Sequence, residues 1–385
     1  MSQSNLPKEF LRHLKPRLPE MLKTLGHFVE AESPSLEKFP ADHCCGLIAA
    51  EWGKHGARVE RLAQTHRGDH LRITWWPHKS KPAGQLLVLG HYDTVYSTGT
   101  LHKMPFRVAT GKVFGPGAFD MKAGIVQSLF ALQALQQLNT TLRKRLVFLW
   151  TSDEEIGSES SRKLIESEAR RSDAVFVLEP AFGPRGLLKT ARKAIGEAEI
   201  IVHGRASHAG LAPQEGINAI HELALQIERV QQWNDPRRGI SANVCTIEGG
   251  TRVNVIPELA RALFDLRALR SADARQIERR LHALRPILPG ARLEIRGSFE
   301  RPPLERKMSA ALFAQAKSLA AQMGQKLGEC TVGGGSDGNF TAALGIPTLD
   351  GLGAVGDGAH SAHEHVIAKT MPARAALLAA LLATI

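Results

Sequence analysis

Covalent cross-linking is the first thing this 385-residue chain has little means to provide. It carries four cysteines, Cys44, Cys45, Cys245 and Cys330. Two of them are neighbours that cannot easily bridge each other, and no pair has the CxxC spacing. A disulfide framework and a thiolate zinc site are therefore both excluded, and a reducing compartment fits. Aromatic residues are scarce, with only two tyrosines, and none interleave with basic residues as in single-strand nucleic-acid binders. The net charge is +11, but Lys and Arg are spread along the chain without a long basic run. That predicts a solvated basic surface or a field that attracts carboxylate substrates, and no nucleic-acid partner. Long apolar runs are also missing. The opening MSQSNLPKEFLRHLKPRLPEML is charged throughout and lacks a signal-peptide core, and the apolar AALLAALLATI near the end is too short to span a bilayer. The expectation is a cytoplasmic protein with no membrane partner, in which that last stretch is a packed helix.

What is present divides into two patterns. Residues 85–90 (QLLVLG), 145–152 (RLVFLWTS) and 173–179 (DAVFVLE) are short apolar runs that read as buried strands, and 122–138 reads as a helix. Such alternation predicts an α/β domain built on a mostly parallel sheet with helices on both faces. After Ala194 the order becomes strand 196–203, helix 213–232, strands 241–248 and 261–269, helix 272–284 and strand 291–299. This βαββαβ order is that of a ferredoxin-like split βαβ unit. Arg301-Pro302-Pro303 punctuates its end, and a short strand at 346–350 returns to the first pattern. One domain of residues 1–194 and 300–385 is thus expected, with a second inserted at 195–299.

Four acid- and histidine-bearing segments are expected where strands end, and open α/β sheets place ligand sites beyond the carboxyl ends of their strands. His91 in Gly90-His91-Tyr92-Asp93-Thr94 follows a buried strand, and Asp93 lies on the same side of an extended chain, able to orient its ring. Asp120 follows the glycines of GPGAFDMK at the start of a helix; on its own it reads better as a helix N-cap than as a ligand. Asp153-Glu154-Glu155 follows another strand, where three adjacent acids call for a compensating cation, or for a helix N-terminus. GAHSAHEH brings His360, His363 and His365 together, and Glu179 ends a further strand.

Taken in this order, the segments resemble the zinc peptidases and deacylases that include aminoacylase, acetylornithine deacetylase, succinyl-diaminopimelate desuccinylase and glutamate carboxypeptidase. HYDTVYSTGT, GPGAFDMKAG, TSDEEIGS, LEP, GRASHAGLAPQEGINAI, GGGSDGN and GAHSAHEHV carry the resemblance, which runs from about Leu86 to the C-terminus and is nearest the glutamate carboxypeptidase branch. It implies a zinc-hydrolase catalytic domain with an inserted lid and dimerisation domain. His91, Asp120 and Glu179 would bind one Zn²⁺, and Asp120, Glu155 and His360 the other, with Co²⁺ or Mn²⁺ as substitutes. Glu154 would be the general base, Asp93 the residue behind His91, and His363 and His365 bystanders. A cis peptide is implied at Asp120-Met121. His208, Asn254 and Arg267 would contact substrate, with His208 reaching the partner's site in a homodimer. Gly334, in the loop Gly333-Gly334-Gly335, can offer backbone N–H groups to an anion. Lys189, Arg192 and Lys193 read either as contacts for an acidic side chain or as solvated hinge residues. The expected function is release of a C-terminal amino acid from an N-acyl or peptidyl substrate with a free carboxylate. The alternatives are an N-acyl-amino-acid deacylase and a non-catalytic binding protein on the same fold.

Overall fold

A computed structural model describes residues 5–385. It divides into two compact units. The first reaches Thr190 and takes up again with Arg306–Thr331 and Ser336–Ile385; the second is Ala191–Glu305 with Val332–Gly335. The second unit is therefore wider than residues 195–299, and it takes in the glycine loop. The physical tie is Arg192, a buried residue whose Nη1 donates to the carbonyls of Gly334 (3.2 Å) and Gly335 (2.8 Å), while Lys193 N donates to Val332 O. Arg192 is a structural anchor rather than a solvated hinge residue.

In chain order the main strands are β1 (Arg58–Leu62), β2 (His70–Trp75), β3 (Gln85–His91), β4 (Arg145–Thr151), β5 (Ala174–Val177), β6 (Ala194–His203), β7 (Ser241–Gly249), β8 (Leu259–Ala268), β9 (Arg292–Arg301) and β10 (Thr348–Leu349). The helices used below are α1 (Ala123–Gln137), α2 (Arg162–Arg170), α3 (Ala219–Gln231), α4 (Ser271–His282) and α5 (Met371–Thr384).

The first unit is built on a sheet of order β1-β2-β4-β3-β5-β10. The strands from β4 to β10 pair in parallel, and β1 and β2 run antiparallel at one edge. Every residue of β3 is buried, because alternate side chains enter two different cores. Leu86 and Val88 join Phe148 and Trp150 in one, under α1 and α5; Leu87 and Leu89 join Val147, Leu149 and Val175 in the other, under Ile165 and Ala169 of α2. The apolar C-terminal stretch is the packed helix its composition predicts, with Leu377, Leu378, Leu381 and Leu382 buried. Among the described residues no helix is long and apolar enough to cross a membrane.

The connections set the position of the site. From β3 the chain crosses through α1 to β4 on one side of β3; from β4 it crosses through α2, on the opposite face, to β5 on the other side. Crossovers that diverge in this way leave a crevice beyond the carboxyl ends of the central strands.

The second unit is an antiparallel sheet of order β7-β8-β6-β9 with α3 and α4 on one face, the split βαβ arrangement. Period-two patterning accounts for it: Ala198, Ile200 and Val202 of β6 and Ala260, Ala262 and Phe264 of β8 enter the core beneath the helices. The helix expected from Pro213 begins six residues later. Pro213–Glu215 forms a 3₁₀ turn, Gly216 is extended, and Asn218 caps α3 by accepting from His221 N at 3.0 Å.

Candidate metal centre

β3 delivers His91 to the crevice. The glycine before it is required: a Cβ at Gly90 would run into the Met121 side chain, whose sulfur accepts from His91 N at 3.4 Å. Asp93 is wholly buried and does more than back the imidazole. His91 Nδ1 lies 3.1 Å from the Asp93 carbonyl and 3.4 Å from its Oδ1. The carboxylate also accepts from Ser35 Oγ (2.7 Å), Glu154 N (3.3 Å) and Glu155 N (3.2 Å). One side chain thus ties the end of β3 to the loop that follows β4.

Asp120 is not the N-cap that its sequence position allows. The Asp120-Met121 peptide is cis, Asp120 is extended, and α1 begins only at Ala123. Its backbone is held by a residue the sequence reading passed over. The Glu364 carboxylate, almost wholly buried, accepts from Gly117 N (3.0 Å), Phe119 N (2.8 Å) and Asp120 N (3.0 Å). Glu364 thereby joins the segment bearing Asp120 to the segment bearing His360. The visible signal was an acid inside a histidine-rich tract, but its partners lie nearly 250 residues away in the chain. His360 itself sits at φ 60, a left-handed conformation that histidine adopts more readily than most residues.

The structure brings together His91, Asp120 and Glu179 in one group and Asp120, Glu155 and His360 in another, each with its donor atoms within 4.8 Å of one another. His91 Nε2 faces both Asp120 Oδ1 (3.3 Å) and Glu179 Oε1 (3.5 Å). His360 Nε2 faces both Asp120 Oδ2 (3.6 Å) and Glu155 Oε2 (3.0 Å). One imidazole nitrogen facing two carboxylates is an arrangement that ligands around an ion adopt, even though His360 Nε2 also lies within hydrogen-bond distance of Glu155. Asp120 Oδ1 makes the point: it is buried, and the 3.3 Å approach of His91 does not amount to a hydrogen bond.

The electrostatics show what the cluster needs. Hydrogen bonds to Asp120 and Glu155 push His360 up to about 10. Burial pushes the Glu155 carboxyl up to about 7. Burial would raise Asp120 as well, but His360 and His91 hold it well below the usual carboxylate range. Burial likewise opposes charge on His91, yet Asp120, Asp93 and Glu179 carry it well above its ordinary value. Three carboxylates in one buried crevice thus draw positive charge onto both imidazoles. Two divalent cations would supply +4 against −3 and leave the imidazoles neutral. A donor set of two histidines and three carboxylates without thiolate suits zinc, cobalt or manganese. The residues fit a pair of such ions.

The remaining candidates belong to the second unit. His208 is exposed, and its Nδ1 accepts from Gly210 N and Leu211 N, both at 3.1 Å. That leaves the ring proton on Nε2, as a donor to whatever binds there. Asn254 is exposed, and its carbonyl accepts from Ala209 N. Arg267 is engaged within its own strand, its guanidinium donating to both oxygens of Asp265 at 2.6–3.0 Å. Gly334 is exposed beside the Arg192 anchor.

Residues 87–384 match the model of peptidase family M20/M25/M40. Among curated relatives, carboxypeptidase G2 from Pseudomonas sp. (strain RS-16) is 32% identical over 375 residues, covering 94% of this chain and 89% of the relative. A succinyl-diaminopimelate desuccinylase from Acinetobacter baumannii (strain AYE) is 27% identical, covering 87% and 91%. Among solved structures, the aminopeptidase PepT of Bacillus cereus ATCC 10987 shares the fold with a TM-score of 0.80 at 20% identity, over 95% of this chain and 98% of that one.

Proposed function

The chain belongs to peptidase family M20/M25/M40 and is a metallopeptidase or amidohydrolase of that family, and from this premise we propose that it is a two-metal hydrolase that cleaves an amide bond to release a C-terminal amino acid, glutamate foremost, from N-acyl or peptidyl substrates. The observation that carries the reading is the sharing of Asp120 between two ligand groups. His91 and Glu179 would complete one site and Glu155 and His360 the other, zinc being the ion that best suits the donors. Bound there, the ions would supply Lewis acidity that polarises the amide carbonyl and acidifies water.

The chain's own residues do the rest. Glu154, one residue before a candidate ligand and fixed by its backbone to Asp93, takes a proton from the attacking water and gives it to the leaving amine nitrogen. Asp93 and Glu364 hold the candidate ligands in place. In a homodimer, His208 donates from Nε2 to the oxyanion at the partner's centre; its tautomer and the open edge of β7 favour this role. Asn254, Gly334 and Arg267, once turned from Asp265, hold the substrate carboxylate. Four free cysteines support a cytoplasmic location.

An N-acyl-amino-acid deacylase is the second reading, favoured by the desuccinylase relative. A non-catalytic binding protein is disfavoured, since Glu154 and all five candidate ligands are in place. The test is chromatography of amine and acid products after incubating zinc-loaded protein with benzoyl-glutamate, folyl-glutamate, N-acetyl-ornithine and dipeptides. Glutamate release is expected. Preference for N-acetyl-ornithine would move the assignment to the second reading, and inertness toward every amide with both ions bound would contradict hydrolysis.

A further inference from the structure

The second unit carries a cleft of about 510 Å³ along the exposed side of α4, within the range of small-molecule sites. One wall is the helix itself. Arg275, Arg279 and His282 stand at i, i+4 and i+7, so they share one face. The rise of an α-helix spreads them over about 10 Å. The other wall is the turn that leaves the helix and returns Arg285 to the same cleft. That turn is fixed from beneath by two wholly buried residues of α3, Glu222 and Gln226. Glu222 accepts from Ile287 N (3.0 Å) and Leu288 N (2.7 Å), and Gln226 Nε2 donates to Arg285 O (3.0 Å). Arg285 in turn donates from Nη1 to His282 O (3.2 Å) and Leu284 O (2.8 Å). This covers the negative end of α4 and leaves the remaining guanidinium N–H groups for the cleft.

The charge of the cleft is unbalanced. Glu278 is the one acid of the lining, and its Oε1 accepts from Phe299 N of β9 at 2.9 Å. Among the described residues, Arg275, Arg279 and His282 enter no side-chain hydrogen bond or ion pair. The arginines of the sheet are matched instead: Arg261 meets Glu199 and Glu248, Arg296 meets Glu199 and Glu294, and Arg267 meets Asp265. Like charges at i and i+4 weaken a helix, and the acid that could offset them is turned onto β9. Cations spread along one face of a concavity match an anion that carries several charges along its length. Arginine forks suit phosphate oxygens in particular.

We propose that this cleft binds a short chain of phosphates, free or carried by a nucleoside, with Arg275, Arg279 and Arg285 as its contacts. The site lies within the second unit and does not depend on the hydrolase reading. Its cations converge on one concavity of small-molecule size, which favours a short polyphosphate over a membrane surface.

Calorimetry on the zinc-loaded chain with ATP, ADP and AMP, at about 0.15 M salt where diffuse attraction is screened, tests the proposal. Affinity should climb with the number of phosphates, by about tenfold or more from AMP to ATP, the usual worth of an added bond between charged groups. The double variant Arg275→Gln, Arg279→Gln should lose that gain. Arg280→Gln removes an exposed arginine of the same helix outside the cleft and should keep it. Inorganic tripolyphosphate, with zinc content measured afterwards, separates the two sources. Binding equal to that of ATP supports the phosphate chain alone as ligand, and weaker binding supports a nucleoside-borne chain. Equal affinity for the three nucleotides would overturn the proposal. So would binding unchanged in the double variant, which would place the nucleotides at the metal ions, or an equal loss in Arg280→Gln, which would leave only a diffuse basic surface. Vesicles containing phosphatidylglycerol that bind the wild type but not the double variant, with no binding of ATP, would also overturn it in favour of a membrane contact.

Discussion

The two units hold their candidate residues in opposite ways. In the first, the candidate ligands stand at the carboxyl ends of buried strands or on segments pinned by buried carboxylates, and the donor atoms already converge. In the second, His208 and Asn254 are exposed, and Arg267 is turned onto its neighbour Asp265. The difference is one of tolerance. Ion ligands must sit within about 0.2 Å of fixed distances, so their backbone must be set by the fold. A substrate carboxylate brings its own geometry, and the groups that meet it can be completed when it, or a second chain, arrives.

That contrast is sharpest at Glu154. Glu154→Gln should lower kcat by about 10²–10⁴-fold, the range for a lost general acid–base, while leaving two ions per chain. Kinetics with metal analysis would check it, and loss of metal with activity would show that Glu154 and Glu155 have exchanged roles. On the other unit, His208→Ala should cost about 10²–10³-fold in kcat, as for one lost oxyanion donor. Mixing His208→Ala with Glu154→Gln chains should restore activity, since one of the two sites in a mixed dimer is then complete. Continued inactivity with mixed dimers present would confine His208 to its own chain or to no catalytic role.

The next effect tests whether the first unit is held by its supporting carboxylates. Glu364→Gln keeps the shape but loses the charge that binds three backbone N–H groups. Metal affinity measured by competition with a chelator should weaken about 10–100-fold, as when other supporting residues of metal sites are lost. Affinity equal to wild type would show that the Asp120 segment holds itself. The smallest effect concerns packing alone. Gly90→Ala forces Met121 aside and should destabilise the first unit by about 1–3 kcal/mol in urea unfolding, the usual cost of overpacking.

The same contrast marks what the sequence made legible. Buried strands followed by His91, Glu155 and Glu179 are visible as apolar runs ending in acids or histidine, each a weak sign singly and specific only through their joint occurrence in this order. The βαββαβ order is visible because the period changes from helix–strand alternation to paired polar–apolar strands. Pairings across long sequence separations are not visible. Glu364 reads as one more polar residue until the fold brings Gly117, Phe119 and Asp120 to it. Asp120 reads as an N-cap because only the local backbone shows that the helix starts later. Arg267 offers itself as a substrate contact because the sequence does not show which rotamer places it on Asp265. The turn that walls the cleft beside α4 is held by Glu222 and Gln226, 59 to 66 residues away in the chain, and no periodicity signals a concavity.

If Asp120 serves two ions at once, counting those ions is the most direct test. Protein stripped of metal, reloaded with zinc and desalted should carry two ions per chain by inductively coupled plasma mass spectrometry. Asp120→Ala, if folded by circular dichroism, should carry close to none. A wild type that holds one ion at most, or an Asp120→Ala chain that keeps both, would contradict the shared-ligand centre.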